Sequence, residues 1–243
     1  RELSSGRNAS REQLVALMRQ TLNDLAGERL PLGIAVPGLV DATGRVVDCD
    51  VLPSLTSWRP QDDLPLASAV LNDGEAALRR ATAEAAPEET VAVVGAGTAI
   101  AAAIRIAGRS VRDVRPTAVE LGYVPFGRTG RLDDYAAGYA LLEKTGMTPT
   151  ELQAAILAGN SLAVEATAEA GDALGLALAM LVNLLQPHRI ALYGGTLRYE
   201  GYLAAARMAV QRAAHPALLA DCQIDVLAEP EIAVAAGAAL ATL

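Results

Sequence analysis

Length, composition and charge set the first limits on this chain. It has 243 residues, which suffices for one large domain or two small lobes with a sizeable core. Hydrophobic residues make up 52% and aromatic residues 3%, so the core must consist mainly of Ala, Val, Leu and Ile. The net charge of −8 argues against a broad nucleic-acid-binding surface, and two cysteines exclude a disulfide scaffold and a Cys-built metal site. We therefore expect a cytoplasmic protein with no membrane span.

The first third of the chain predicts a helix and two short strands. Apolar residues recur at three- and four-residue steps over residues 10–26, which indicates an amphipathic helix. Residues 32–36 form a short apolar run that ends at Pro37-Gly38 and predicts a buried strand, and residues 45–48 predict a second short strand. Residues 66–71 form a second apolar run. The second run leads into Asn72-Asp73 and then into a helix-forming stretch.

The rest of the chain alternates strands with helices. Two β-rich runs, at residues 91–94 and 99–106, are joined by a short glycine-containing turn and predict a hairpin. Helices are predicted over residues 134–144, 148–158, 162–185 and 199–214, and a strand over 190–193. This alternation indicates the α/β class.

Asp73 is the first residue that could carry chemistry. It lies at the end of an apolar run and the start of a predicted helix, near the cleft where open α/β sheets bind ligands. A carboxylate there can act as a general base toward a substrate hydroxyl, as in phosphoryl transfer. The alternative is that Asn72 and Asp73 serve only as helix caps.

Two short turns are the next candidates. Gly97-Thr98 and Gly194-Gly195 would let backbone N–H groups approach a phosphate, although ordinary tight turns explain the same residues equally well. Neither His188 nor His215 has a partner at metal-ligand spacing, so we predict no metal site.

Taken in order, these segments resemble the ROK family, which groups bacterial sugar kinases with sugar-responsive repressors. The matching segments are LGIAVPGLV at 32–40, LPSLTSW at 52–58, NDGEAAL at 72–78, the hairpin at 95–108, LYGGTL at 192–197 and AAGAALATL at the end. The resemblance implies an α/β, two-lobed, actin-like ATPase (ribonuclease H-like) sugar-kinase fold. A small lobe would comprise residues 1–80 and 230–243, and a large lobe residues 81–229.

The resemblance also implies a site, residue by residue. The sugar would contact Ser54, Asn72, Asp73, Glu120 and Asp133. In a kinase, Asp73 would be the catalytic base and Mg-ATP would lie against Gly97, Thr98, Gly194 and Gly195.

The chain departs from the family pattern at several positions. Ser54 stands where a sugar-binding Asn is expected, and Asp133 where the family has a Glu. Tyr123 replaces a zinc-binding His, and Phe126 and Arg131 occupy two of the zinc-binding Cys positions, so we expect no zinc. The family's opening Asp-x-Gly-x-Thr strand turn is not found, so we expect the first small-lobe strands in a segment upstream of Arg1.

These departures favour the sugar-sensing effector domain of a transcriptional regulator, with no kinase activity and no cofactor. Its expected partners are a sugar or sugar phosphate and a second copy in a homodimer, with DNA bound only through an upstream domain outside this chain. The alternative is an ATP-dependent hexose or amino-sugar kinase that uses Asp73, and a third hypothesis is a remnant that serves dimerisation. The sequence does not name the sugar.

Overall fold

The structure is a computed structural model that describes residues 9–25, 30–113, 115, 119–230 and 232–243. Its helices are α1 (Arg11–Leu25), α2 (Pro60–Asp63), α3 (Asp73–Ala81), α4 (Asp133–Ala136), α5 (Gly138–Thr145), α6 (Pro149–Leu157), α7 (Ser161–Leu185), α8 (Tyr202–Ala213), α9 (Pro216–Ala220) and α10 (Ala233–Leu240). Its strands are β1 (Leu32–Val36), β2 (Leu39–Val40), β3 (Val46–Asp48), β4 (Ala67–Asn72), β5 (Val91–Ala96), β6 (Ile100–Ile106), β7 (Arg109–Ser110), β8 (Pro125–Phe126), β9 (Gly130–Arg131), β10 (Arg189–Tyr193) and β11 (Gln223–Val226).

Two sheets organise the described part of the chain. Strands β1 and β4 pair in parallel, with Val36 opposite Asn72 at their carboxyl ends. The larger sheet has the order β11-β10-β5-β6-β7, in which β5 is parallel to β10 and antiparallel to β6. Gly95 of β5 lies opposite Tyr193 of β10. The turn residues predicted to be functional therefore leave each sheet at the carboxyl ends of its parallel strands, where α/β folds bind ligands.

Each sheet has a core of its own, and two helices cross between the sheets. One core surrounds the fully buried Trp58 and joins α1 to β1 and β4. The other packs α7 and α8 on the five-stranded sheet. Helices α3 and α10 pack on each other and contact strands of both sheets. The lobe boundaries predicted near residues 80 and 230 stay a prediction. Both boundaries fall close to α3 and α10, and these two helices contact both sheets.

Helix α7 is long and apolar because it is a core helix. By length and composition alone it could cross a membrane, but 56% of its most apolar 18-residue window is buried inside the protein. It packs along α8, where Gly171 and Gly175 bring its backbone against the carbonyl groups of Tyr202 and Ala206. Packing within the fold therefore explains its hydrophobicity.

The predicted continuous helix over residues 134–144 is wrong, because the chain breaks at Ala137. There the backbone turns extended, with φ −74° and ψ 154°, between α4 and α5. The Gly138 N–H donates to the Gly97 carbonyl at 2.8 Å, and the Tyr139 N–H donates to the Thr98 carbonyl at 3.1 Å. These bonds to the β5–β6 turn replace two bonds of a continuous helix, and they attach α5 to that turn.

Candidate functional site

Asn72 and Asp73 have different roles at the start of α3. The Asn72 Oδ1 accepts hydrogen bonds from the N–H groups of Gly74 at 2.8 Å and Glu75 at 3.4 Å, so Asn72 is the N-cap. Its amide group donates to the Gly38 carbonyl at 2.9 Å, which joins the ends of β1 and β4. The Asp73 Oδ1 accepts a hydrogen bond from the same Gly74 N–H at 2.8 Å. Because Asn72 provides the cap, the Asp73 carboxylate can also face a ligand.

A cavity of about 270 Å³ lies at the carboxyl ends of β1 and β4. Four of the five predicted sugar-binding residues line it, although they come from distant parts of the chain: Asn72, Asp73, Glu120 and Asp133. Carboxylate and amide oxygens accept hydrogen bonds from hydroxyl groups, so this set suits a polyhydroxylated ligand.

Ser54 is placed outside this set of lining residues. Its hydroxyl group donates to the Ala9 carbonyl at 2.8 Å, and its own carbonyl accepts a hydrogen bond from the Arg11 guanidinium. Ser54 therefore attaches the loop after β3 to the start of α1.

Asp133 is held rigidly, with only 3% of its surface exposed. One carboxylate oxygen accepts a hydrogen bond from the Ile100 N–H at 2.7 Å. On the other side is Gly122, where an added Cβ would lie 2.5 Å from that oxygen. The absence of a side chain at Gly122 therefore creates the space that the Asp133 carboxylate occupies.

The lining residues that were not predicted as site residues include Asp50, Arg112 and Tyr123. The Tyr123 hydroxyl donates to Asp50 Oδ2 at 3.0 Å, and the Arg131 guanidinium lies 4.2 Å from the centre of the Tyr123 ring. Arg112 donates to the Val40 carbonyl at 2.7 Å. These hydrogen bonds join segments that lie more than seventy residues apart in the sequence. No local pattern marks Asp50 or Arg112, and the family motif marks Tyr123 only as the replacement of a zinc ligand, because the role of all three depends on contacts between distant segments.

Burial shifts the pKa values of Asp73, Glu120 and Asp133 upward, and repulsion by neighbouring carboxylates adds to the shift at Glu120 and Asp133. Burial raises the pKa of Asp73, and hydrogen bonds and the Arg112 charge oppose this shift. Burial also raises the pKa of Glu120, to which the negative charges of Asp50 and Asp73 add. For Asp133, burial raises the pKa against the opposing Ile100 hydrogen bond. The cavity thus concentrates negative charge that water screens only in part.

We predict that the chain loses stability as the pH rises through these raised pKa values. A carboxyl group with a raised pKa keeps its proton in the folded chain at a pH where the unfolded chain has lost it, so the stabilisation is present at low pH. For Glu120, this stabilisation is lost as the pH rises from 4.5, the ordinary pKa of Glu, through the raised pKa of the folded chain. Glu120→Gln should raise Tm near pH 7.5 by a few degrees and flatten its pH dependence in differential scanning fluorimetry.

Glu165→Gln is the matched control, because Glu165 is exposed on α7 and lies outside the cavity. Its Tm profile should follow that of the unchanged protein. An unaltered profile for Glu120→Gln would contradict the charge repulsion described for the cavity.

The predicted nucleotide residues form a second group near the ends of β5 and β10. The Thr196 hydroxyl donates to the Gly97 carbonyl at 3.0 Å and so joins the two turns. A Cβ at Gly97 would meet nothing nearer than 3.9 Å, and one at Gly195 nothing within 4 Å, so both have open space beside them. By contrast, the Tyr193 ring covers Gly95. The β5–β6 turn also borders the cavity, because Ile100, which directly follows the turn and begins β6, is one of the residues that line the cavity.

The segment that corresponds to the family's zinc loop does not fit a zinc ion. Among the residues described here, no group of three or more His, Cys, Asp or Glu side chains is placed to hold a metal. Instead, Phe126 packs on Tyr135 with ring centres 5.3 Å apart, and Asp134 accepts bonds from the Arg131 N–H and the Tyr139 hydroxyl. None of these side chains is the thiolate or imidazole that such a site requires. The absence of zinc stays a prediction.

The two sheets, the crossing helices and the cavity at the strand ends define the sugar-kinase class of the actin-like ATPase fold. The model of the ROK family matches residues 4–242, so the chain belongs to the ROK family. The predicted family and fold are therefore confirmed. A search of curated protein sequences gives no match.

Solved structures agree with this fold over nearly the whole chain. A ROK family glucokinase from Streptomyces griseus, in complex with glucose and AMPPNP, has a TM-score of 0.82 and 20% identity, covering 98% of this chain and 89% of that one. A ROK family transcriptional regulator, a homolog of the E. coli MLC protein, has a TM-score of 0.78 and 19% identity, covering 97% and 69%. A ROK family protein from Streptococcus pneumoniae, in complex with sucrose, has a TM-score of 0.76 and 23% identity, covering 99% and 88%. A kinase and a regulator thus share this fold.

Proposed function

We propose that this chain is the sugar-binding effector domain of a ROK-family transcriptional regulator and that it transfers no phosphate. The observation that carries sugar binding is the convergence of Asn72, Asp73, Glu120 and Asp133 on one cavity. Proteins of the same fold are found with glucose and with sucrose. In a regulator the bound sugar would shift the population of conformations and so alter DNA binding by a separate domain. A homodimer in the cytoplasm is part of this proposal.

The surroundings of the glycine turns support the regulator over the kinase. Phosphate binding by a turn needs several backbone N–H groups that a ligand can approach closely. The Tyr193 side chain covers Gly95, and alanines stand at positions 96 and 99 beside Gly97. Only a few backbone N–H groups of these turns are therefore accessible to a phosphate group.

The position of Asp73 favours the alternative, an ATP-dependent hexose or amino-sugar kinase. Its carboxylate lines the cavity, and a raised pKa suits a general base that removes a proton from a sugar hydroxyl. The contact between Thr196 and Gly97 brings the two glycine turns together, so Gly97, Thr98, Gly194 and Gly195 would hold Mg-ATP. Phosphoryl transfer also needs that nucleotide to bind.

Thermal shift and ADP release decide between the two functions. The chain is heated with a panel of hexoses and amino sugars, each with and without Mg-ATP, and ADP release is then followed for the sugars that bind. A sugar at about a hundred times its Kd should stabilise the fold by roughly 2.7 kcal/mol, with no further gain from Mg-ATP and no ADP released above the sugar-free blank.

Sugar-dependent ADP release that disappears in Asp73→Asn would establish the kinase and overturn the regulator. Failure of every sugar to stabilise the fold would contradict sugar binding itself.

A further inference from the structure

Tyr193, the last residue of β10, buries a hydroxyl group for which the described residues provide no hydrogen-bond partner. Only 6% of its surface is exposed, and the core cluster around it otherwise consists of Ala, Val and Leu side chains. A buried hydroxyl group without a partner costs stability. Apolar packing alone would therefore favour a side chain without that hydroxyl group, so we looked for another role for Tyr193.

The Tyr193 ring fills the space that Gly95 leaves open. A Cβ added at Gly95 would lie 2.6 Å from the ring carbon Cζ and 2.8 Å from the hydroxyl oxygen. Gly95 is the Cα partner of Tyr193 on one side and of Ala101 on the other. Neighbouring strands lie about 4.8 Å apart, so the Tyr193 side chain reaches from β10 over β5 toward β6. Ala101 of β6 lines the cavity.

The Tyr193 hydroxyl group therefore lies beside the first turn of α3. This turn rests on β6, because a Cβ added at Gly74 would lie 3.1 Å from the Ala102 carbonyl oxygen. Asp73 directly precedes Gly74 and so stands over the strand next to Gly95. Electrostatics agree with this placement, since burial and the charge of Asp73 both raise the pKa of Tyr193 well above its ordinary value.

We propose that Tyr193 keeps phosphate groups out of the sugar site, so that the cavity takes a sugar without a phosphate group beside Asp73. The proposal rests on the sugar-binding function above and names the class of ligand. A transferred or bound phosphate would have to bridge a sugar hydroxyl near Asp73 and the backbone N–H groups of the glycine turns. Gly95 lacks a side chain at that point, but the Tyr193 ring occupies the space.

Tyr193→Leu tests the proposal, because leucine stays apolar in the core but is too short to cover Gly95. Isothermal titration calorimetry measures the affinity for Mg-ATP, for inorganic tripolyphosphate and for glucose 6-phosphate. The Leu variant should bind at least one of these ligands about tenfold more tightly than the unchanged protein does. Tyr193→Met, whose flexible side chain can leave Gly95 open, is the second variant if the Leu variant does not fold.

Tyr193→Phe is the matched control, because it keeps the ring over Gly95 and removes only the hydroxyl group. It should exclude the phosphate ligands as the unchanged protein does. Its Tm should rise by about 3 °C in differential scanning fluorimetry, since the unpaired buried hydroxyl group is gone. Phosphate binding by the Phe variant that equals that of the Leu variant would contradict the role of the ring.

The outcomes separate this inference from the proposed function. Tight binding of a phosphate ligand by the unchanged protein would overturn the role of Tyr193 and leave sugar binding intact. Continued exclusion of all three ligands by a folded Leu or Met variant would do the same. If no unphosphorylated sugar shifts Tm, the proposed function is contradicted, and the tripolyphosphate titration still tests Tyr193 by itself.

Discussion

Gly237→Ala is expected to lower the free energy of unfolding by about 4 kcal/mol or to prevent folding altogether. A Cβ added at Gly237 overlaps the carbonyl oxygen of Ala76, at the point where α10 crosses α3. Neither helix can move away freely, because Ala76 is fully buried and Gly33 of β1 lies against the Ala238 carbonyl on another side of α10. The added methyl group can therefore be accommodated only if α10 and α3 move apart, which disrupts their packing.

Urea unfolding followed by Trp58 fluorescence measures this effect, because Trp58 is only 1% exposed and its indole N–H donates to Asp63. Ala235→Ser is the control on the same helix, at an exposed position, and should shift the midpoint little. A Gly237→Ala protein with an unchanged midpoint would mean that α10 does not pack on α3 as described.

Gly122→Ala is expected to weaken sugar binding by about a hundredfold, equivalent to about 2.7 kcal/mol. The added methyl group would lie within 2.5 Å of the Asp133 carboxylate, which must then leave its hydrogen bond with the Ile100 N–H. A displaced carboxylate cannot meet the sugar in the same geometry. Calorimetry with the sugar that gives the largest thermal shift measures the loss.

Gly195→Ala is the control for this substitution, because nothing lies within 4 Å of the added Cβ and Gly195 does not line the cavity. It should leave sugar affinity unchanged. Any nucleotide affinity of the kinase alternative would fall in Gly195→Ala, since the methyl group would enter the open space beside that turn. Unchanged sugar affinity in Gly122→Ala would show that Asp133 does not contact the ligand.

Local sequence patterns predicted most of the helices and strands that position the site residues. The strand predicted over residues 32–36 is confirmed as β1, and the helix predicted over 162–185 as α7, because hydrophobic periodicity depends on neighbouring residues alone. The helix predicted over 10–26 corresponds to α1, with Ala26 outside the described residues. The helix over 134–144 was mispredicted because its break is imposed by Gly97 and Thr98, some forty residues earlier in the chain.

The sequence by itself determined the family, the α/β class and the residues at the strand ends, because motif order and alternating patterns are properties of the chain. It also predicted that Asn72, Asp73, Glu120 and Asp133 contact the sugar, and these four residues line one cavity. Only the tertiary structure decided that Ser54 bonds to Ala9, away from the cavity, while Asp50, Arg112 and Tyr123 line it. The physical reason is that the charge and shape of a cavity come from side chains on distant segments, whose meeting depends on how α3, α10 and the loop after β3 pack.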